Sequence, residues 1–401
     1  MSTRLWLAAA AVAVAFTLLH RRRWRPHSSY LRRAATDASL IANRRAMIQA
    51  FLQDMSTPLL PLPPALPAGC VRLVTWNVNI LCGPDWNTPV SAMDAAKLLL
   101  SFQADVLVLQ ELPNEALDTL WSEALKPALA RVRELDTLLS AQGYTLLRSL
   151  GCENSTLLAV SSRLQVEETE GFTLDAEPTV SVNDSEVWSE SRGARYALVQ
   201  LPVGAGAAKP SRLAIYATHL SHKDSSLVRP PPSLQPPQTA PEAEVAHDRP
   251  SIGIPSGEWA GAQSVGGVRL RQARRLVDHW QARASRPADG AIVLADFNAP
   301  LRRHYTEEEW RVVAAGLSSP AVAQPLDDGV STLLSKAGFR CAYELAPDNN
   351  FGGRPAPPMT HWTGTTVDFA YVTGEASRRM RGAYVVHTSL SDHLPVVFDL
   401  C

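Results

Sequence analysis

Apolar runs of seven to nine residues recur along most of this chain of 401 residues, and they constrain its fold more than any other feature. Short runs of this kind predict strands, and several show no polar alternation, which is typical of strands covered on both faces. The runs are VRLVTWNV (71–78), ADVLVLQEL (104–112), STLLAVSS (155–162), RYALVQLPV (195–203), RLAIYATHL (212–220), GAIVLADFN (290–298), TVDFAYVT (366–373), GAYVVHTS (382–389) and LPVVFDL (394–400). Helical patterns lie between some of them, at 91–102, 114–142 and 268–284. This mixture predicts an α/β fold, a four-layer α/β sandwich with two face-to-face β-sheets and helices outside.

The chain divides by composition into three parts. Residues 1–35 hold a hydrophobic stretch with an arginine-rich flank, and residues 36–69 hold a short helical pattern and a proline-dense linker. Residues 70–401 contain all the strand-like runs, so we expect one folded domain there. Within it, 225–267 has eight prolines and few large apolar residues, which predicts a disordered insertion.

The hydrophobic stretch Leu5–Leu19 is interrupted only by Thr17, and four arginines follow within six residues. As a helix it would span about 22 Å, which is short of a hydrocarbon core of about 30 Å. Because the positive charges lie after the stretch, the downstream part should stay in the cytosol. We therefore expect a membrane anchor with a cytosolic body. A mitochondrial or plastid presequence is the alternative, since residues 1–36 contain seven arginines and no acid. A cleaved secretory signal is a third possibility, although its charge normally precedes the apolar run.

Charge is unevenly distributed along the chain. The first 69 residues hold nine of the 38 basic and two of the 39 acidic residues, which leaves 29 basic and 37 acidic residues in the body, a net charge of −8. Such a body is a poor general partner for a polyanion, because phosphate binding relies on lysine and arginine. The five cysteines are scattered without CxxC spacing, so neither a disulfide framework nor a zinc site is indicated, and a reducing compartment is favoured.

Polar residues follow or interrupt the apolar runs at eight positions. They are Asn77, Glu111, His219, Asp296, Asn298, Asp368, Asp392 and His393. Taken singly, most have an ordinary structural explanation: the asparagines and Asp296 as turn formers, Glu111 as a surface acid, His219 as a core histidine. Asp368 is harder to dismiss, because a carboxylate inside an apolar strand is costly unless it is paired or hydrogen-bonded.

Taken together, these residue types fit the hydrolysis of a phosphate ester. Hard oxygen ligands such as those of Glu111 and Asp392 suit Mg²⁺, with Mn²⁺ as a possible substitute. A metal ion neutralises charge on a phosphoryl oxygen. An imidazole held by a carboxylate is a common base for activating water, and asparagine side chains can hold phosphate oxygens without adding repulsive charge.

Six motifs in order, TWNVN, LVLQEL, THL, VLADFN, TVDFAYV and SDHLPV, resemble the endonuclease/exonuclease/phosphatase superfamily, which has the DNase I-like fold. They span residues 75–396, nearly the whole domain. One departure is Ala295, where the family usually has glycine. The resemblance implies a Mg²⁺-dependent phosphodiesterase in which water attacks a phosphodiester in line.

The resemblance also implies a role for each site residue. It makes Glu111, Asn77 and Asp392 the metal ligands, and His219, Asp296, Asn298, Asp368 and His393 the catalytic residues. His393 would be the imidazole of a His–carboxylate pair with Asp368. Asn77, Asn298 and Arg195 would contact the substrate phosphate, the register of Arg195 being the least defined.

The substrate stays open at this stage. The stretches DFNAPLRRHY and HWTGTTVDFAY disfavour an inositol polyphosphate 5-phosphatase, and QELPNEAL lacks the lysine-bearing segment usual in abasic-site endonucleases. A lipid-headgroup or small phosphoester and a nucleic acid remain as substrate classes. A catalytically silent, membrane-tethered interaction module on the same fold is the alternative from another class, although none of the expected site residues is missing.

Overall fold

The computed structural model describes residues 62–84, 88–113, 126–149, 154–174, 179–183, 186–190, 192–202, 211–221, 262–283, 288–307, 329–357, 359–362 and 364–401. The expected anchor or presequence and the expected helix within 36–56 therefore lie outside the described residues. Among the helices that are described, none is long and apolar enough to cross a membrane.

The described residues form fifteen strands and five α-helices. The strands are β1 (Val71–Asn77), β2 (Val106–Pro113), β3 (Tyr144–Arg148), β4 (Asn154–Ser161), β5 (Gln165–Thr173), β6 (Thr179–Asn183), β7 (Glu186–Glu190), β8 (Gly193–Gln200), β9 (Arg212–His219), β10 (Gly290–Asp296), β11 (Arg340–Cys341), β12 (Asp348–Asn349), β13 (Asp368–Gly374), β14 (Met380–Val385) and β15 (Val396–Leu400). The helices are α1 (Ala92–Ser101), α2 (Lys126–Ala141), α3 (Ala262–Ala282), α4 (Val330–Lys336) and α5 (Glu375–Arg379).

Two mixed sheets contain most of these strands. One has seven strands in the order β12-β14-β15-β1-β2-β4-β3, and the other has six in the order β11-β13-β10-β9-β8-β5, while β6 and β7 form a hairpin. Each large sheet has a parallel pair near its centre, β1 with β2 and β9 with β10. Both pairs have antiparallel neighbours on either side.

Strand β1 shows why the apolar runs lack polar alternation. Val71 and Leu73 pack into the core shared with the six-stranded sheet, whereas Val74 and Trp76 pack into a second core against the helices. Both faces of the strand are therefore buried, as expected for a strand in the middle of a layered fold. By the two-residue period of a strand, Asn77 lies on the face of Val71 and Leu73, towards the other sheet.

Helices cover the outer face of each sheet and complete the four layers. Ala96 and Leu99 of α1 and Leu135 of α2 belong to the second core, with the seven-stranded sheet. Helix α1 begins at a Ser91 cap, whose Oγ accepts a hydrogen bond from Asp94 N at 3.0 Å. Leu276 of α3 joins the main core. The structure confirms the predicted α/β sandwich.

The parallel pairs place their carboxyl ends at one edge of the sandwich. Asn77 pairs with Gln110 at the end of β1 and β2, and Asp296 pairs with His219 at the end of β10 and β9. Strand β13 starts at the same edge, because Asp368 pairs with Asp296. The edges at the ends of parallel strands are common positions for binding sites.

Several expected boundaries moved. Helix α3 begins at Ala262 and so includes the last six residues of the expected insertion 225–267. Residues 222–261 lie outside the described part of the chain. Pro127 is the second residue of α2, where the first-turn N–H has no helical partner and proline is tolerated.

The cysteine spacing indicated no disulfide, and this expectation was wrong for one pair. Cys70 and Cys401 form a disulfide with their Cα atoms 4.1 Å apart, across 331 residues of sequence. They flank β1 and β15, which pair antiparallel with Val71 opposite Leu400. The bond therefore joins the two ends of the domain.

Candidate active site

Asn77 is held at the end of β1 by two hydrogen bonds of its own amide. Its Oδ1 accepts from Asn79 N at 3.0 Å, and its Nδ2 donates to Asp296 Oδ2 at 3.1 Å. The side chain is buried. Because one partner is a donor and the other an acceptor, the orientation of the amide is fixed. Asn77 thus links the seven-stranded sheet to the six-stranded sheet.

Glu111 lies at an irregularity in β2. The register of β2 with β4 shifts between Leu109 and Leu112, and Glu111 has a φ of 57°. A non-glycine residue in this region is uncommon, and bulges often redirect a side chain next to a functional site. Glu111 Oε1 lies 3.9 Å from His219 Nε2, and its side chain is 20% exposed. The bulge thus places a carboxylate at the open side of the site.

His219, Asp296 and Asn298 meet where β9 and β10 end. His219 Nε2 lies 3.4 Å from Asp296 Oδ2 and 2.9 Å from Asn298 Nδ2. Asn298 has a φ of 52°, which asparagine tolerates better than most residues. Its backbone N–H donates to Asp296 Oδ1 at 2.8 Å. This tight turn explains how Asp296 and Asn298 both reach one imidazole.

Asp368 and His393 form the expected pair. His393 Nδ1 lies 2.9 Å from Asp368 Oδ2, and both residues are buried. The backbone of His393 is held by Trp76, whose Nε1 donates to His393 O at 3.0 Å. The opposite ring nitrogen, His393 Nε2, faces Asp296 Oδ2 at 3.7 Å. The pair of Asp368 and His393 that the family resemblance implied is present in the structure.

The protonation states follow from these contacts. Burial disfavours the imidazolium of His393, but Asp368 and Asp296 outweigh burial and raise the pKa of His393 to about 10. Burial also disfavours the carboxylate of Asp296, yet His393 and the hydrogen bond to His219 hold the pKa of Asp296 well below its usual range. Burial raises the pKa of Asp368, and His393 acts on it in the opposite direction. In the protein alone, His393 is therefore an imidazolium beside the carboxylate of Asp296 at neutral pH.

Asp392 borders the same site together with a histidine that the sequence analysis did not select. His361 Nε2 lies 3.9 Å from Asp392 Oδ2, and the rings of His361 and His393 are 4.4 Å apart. Suitable ligand atoms of these three residues all lie within 4.8 Å of one another. The histidine in the run THW, five residues before the motif TVDFAYV, was the available signal.

Arg195 does not reach the site, which corrects the expectation of a phosphate contact there. Its Nη1 donates to Arg148 O at 3.4 Å and its Nη2 to Thr169 Oγ1 at 2.8 Å. Arg192, three residues earlier, is buried and places Nη1 2.9 Å from His219 Nδ1. The sequence offered no way to choose between the two arginines, because the choice depends on how β8 pairs with β9.

The charges of the site fit a divalent cation. Four carboxylates are present, those of Glu111, Asp296, Asp368 and Asp392, against the imidazolium of His393 and the guanidinium of Arg192. Three of the four carboxylates are buried. Buried charges are costly unless they are balanced, and oxygen donors suit Mg²⁺ or Mn²⁺. Glu111, Asp392 and Asn77 could supply such ligands.

A model of the Endonuclease/Exonuclease/phosphatase family matches residues 74–393, which include every site residue named above. The chain belongs to this family. Its members are phosphoester hydrolases, so the resemblance of the six motifs is confirmed. No curated protein sequence matches the chain.

The chain is similar to several solved structures at low sequence identity. A family member from Bacteroides vulgatus is 14% identical, with 83% of this chain and 98% of that one covered and a TM-score of 0.47. A mannosyl-6-phosphatase from Bacteroides thetaiotaomicron is 13% identical, with 82% and 99% covered and a TM-score of 0.45. The catalytic domain of human Nocturnin with bound sulfate is 16% identical, with 84% and 96% covered and a TM-score of 0.40.

Proposed function

We propose that this protein is a Mg²⁺-dependent phosphodiesterase, with Mn²⁺ as a possible substitute. One observation carries the proposal. His393 is bound through Nδ1 to the buried Asp368 and turns Nε2 towards Asp296, in a site bordered by further carboxylates. A histidine oriented by a carboxylate is a common arrangement for proton transfer to or from water.

The residues divide into two groups, those that could orient the attacking water and those that could hold the phosphoryl oxygens. Asp296 and His393 face a common point from two sides, with 3.7 Å between Oδ2 and Nε2, where an attacking water would be oriented. His219, Asn77 and Asn298 present nitrogen atoms at the same edge, where they could hold phosphoryl oxygens. Water would lose a proton to His393 as its oxygen forms a bond to phosphorus, the P–O bond to the leaving group would break, and that group would take up a proton from solvent.

The metal ligands in this proposal are Glu111, Asp392 and Asn77. A bound divalent cation would neutralise charge on the phosphoryl oxygens, and its field would lower the pKa of His393 towards the range in which the ring accepts a proton. Of the two carboxylate ligands, Glu111 has the more exposed side chain. It is 20% exposed, against 4% for Asp392. It would therefore meet both the solvent and the substrate.

We propose that the substrate is a phosphodiester. Two classes of phosphodiester are open: that of a lipid headgroup or small molecule, and that of a nucleic acid. The net charge of −8 over residues 70–401 disfavours duplex DNA held by generic electrostatics. A panel of abasic DNA, single-stranded RNA, sphingomyelin and phosphoinositides, each with Mg²⁺ and with EDTA, would separate these classes.

The basic activity is tested with bis(p-nitrophenyl) phosphate and the full-length protein. We expect Mg²⁺-dependent release of p-nitrophenol that EDTA abolishes and that His393→Gln lowers by about 10²–10⁴-fold. His279→Gln is a matched control, since His279 lies on α3 and contacts Tyr216 and Phe172 rather than the site. If wild type and His393→Gln are equally inactive on this ester and on the panel, the silent interaction module becomes the better explanation.

A further inference from the structure

Two buried histidines of the site have opposite partners at the same ring atom. His393 Nδ1 lies 2.9 Å from a carboxylate oxygen of Asp368. His219 Nδ1 lies 2.9 Å from Nη1 of Arg192, a guanidinium. Both rings turn Nε2 towards Asp296 Oδ2, at 3.7 Å and 3.4 Å. The partner of Nδ1 in each ring therefore determines whether Nε2, which faces the site, carries a proton.

A guanidinium has five N–H donors and no acceptor, and it stays protonated in proteins. His219 Nδ1 must therefore carry the lone pair that accepts from Arg192. The single proton of the ring then lies on Nε2, and the ring is neutral. The opposite tautomer, or an imidazolium, would point an N–H group at the Arg192 N–H group in a buried place, where an unsatisfied donor is costly.

The contacts on the Nε2 side agree with a proton there. Asp296 Oδ2 at 3.4 Å and Glu111 Oε1 at 3.9 Å are both acceptors. Asn298 Nδ2, at 2.9 Å, is a competing donor, and it also donates to Leu220 O at 3.0 Å. Charge-assisted hydrogen bonds are roughly twice as strong as neutral ones, so the bond from Arg192 outweighs the one from Asn298.

The backbone around Arg192 supports a fixed geometry. Arg192 O accepts from Leu174 N at 2.8 Å, and Gly193 O accepts from Thr218 Oγ1 at 3.0 Å. Ala194 pairs with Thr218, the residue before His219, in the β8–β9 ladder. Arg192 and His219 are thus set side by side by neighbouring strands rather than by a long flexible loop.

We propose that Arg192 is a positioning residue that fixes His219 as the neutral, Nε2-protonated tautomer, so that His219 serves as a hydrogen-bond donor to a phosphoryl oxygen and not as a base. This inference rests on the proposed phosphodiesterase function for its catalytic consequence. It divides the work between the histidines: His393, backed by a carboxylate, exchanges the proton of water, while His219, backed by a guanidinium, donates to the phosphate.

The tautomer can be measured without any activity. In the full-length protein labelled with ¹⁵N-histidine, long-range ¹H–¹⁵N spectra distinguish a protonated from an unprotonated ring nitrogen, and His219→Gln identifies the His219 signals among the ten histidines. We expect Nε2–H and unprotonated Nδ1 in wild type and in Arg192→Lys, which keeps a cationic donor. Arg192→Met should change this pattern. Arg195→Met, three residues further along the chain in β8 and away from the site, should not.

Activity on bis(p-nitrophenyl) phosphate gives the second measurement. Arg192→Met should lower kcat by about 10–100-fold, a loss typical of residues that orient a functional histidine, and Arg192→Lys should recover part of it. A wild-type spectrum with a protonated Nδ1, or an unchanged pattern in a folded Arg192→Met, overturns the tautomer assignment. A correct tautomer in a protein that hydrolyses none of the esters overturns the proposed function and leaves the assignment of His219 standing.

Discussion

Nδ1 of His393 lies 2.9 Å from Oδ2 of Asp368, and the two side chains are 7% and 0% exposed. The carboxylate of Asp368 has two effects on His393: it orients the imidazole ring, and it favours the protonated form of that ring. Replacing Asp368 by asparagine keeps the size of the side chain and removes the negative charge that favours the imidazolium.

We expect Asp368→Asn to lower kcat/KM by about 10²–10⁴-fold. It should also lower the pKa of His393, because Asp368 contributes more than any other carboxylate to raising that pKa. Steady-state kinetics and an NMR titration of His393 in EDTA measure the two effects. A variant that loses activity while the pKa of His393 stays high would show that Asp368 acts only as a structural anchor.

Stability should depend on pH through the same histidine. The pKa of His393 is raised from 6.5 to about 10 in the folded protein. The stabilisation is therefore fully present below about pH 6.5 and is lost as pH rises through about 10. Urea unfolding in EDTA at pH 6, 8 and 10 should show a decline in wild type that is shallower in His393→Gln. Parallel declines in the two proteins would contradict the raised pKa.

Metal binding should depend on Glu111, the carboxylate placed at the bulge of β2. A ligand that binds only the folded state stabilises it by about 2.7 kcal/mol at 100 times its Kd, so Mg²⁺ or Mn²⁺ should raise the Tm of wild type. Glu111→Gln should require a higher metal concentration for the same increase. Glu134→Gln, which changes an exposed acid of α2, is the matched control. An identical metal response in all three proteins would remove Glu111 from the set of ligands.

Much of this site could be predicted from sequence because its residues carry strong local signals. A carboxylate inside an apolar strand requires a partner, and this pointed to Asp368 before any geometry was known. The apolar runs marked the strands of both parallel pairs. That the ends of these pairs meet at one edge and bring Asn77, His219 and Asp296 together is seen only in the structure.

Other parts of the structure depend on information that a single sequence does not carry. Arg192 was missed because SESRGARY is rich in polar residues, and only the pairing of Ala194 with Thr218 turns Arg192 towards His219. Strand β5 was missed because QVEETEGFT alternates between exposed and half-buried positions and contains three acids. The bulge at Glu111 has no glycine to mark it.

The disulfide between Cys70 and Cys401 also escaped prediction, because spacing says nothing about a contact across 331 residues. It lies at one end of the β1–β15 pair, and Asn77 lies at the other end of β1, about 20 Å away at ~3.3 Å per residue. We therefore expect the double variant Cys70→Ala/Cys401→Ala to keep its kcat/KM at 25 °C.

The same variant should be less stable, since a cross-link over a loop this long restricts the unfolded chain and contributes up to about 5 kcal/mol. Thermal unfolding measures the loss, and Cys82→Ala, outside the disulfide, is the control that should leave Tm nearly unchanged. Disulfides persist in oxidising compartments, whereas the arginines after Leu19 predict a cytosolic body. Blocking free thiols during lysis distinguishes an oxidising compartment from the cytosol. If Cys70 and Cys401 are found bonded, the cytosolic placement is contradicted. If both are found alkylated, a structural role for the bond in the cell is contradicted.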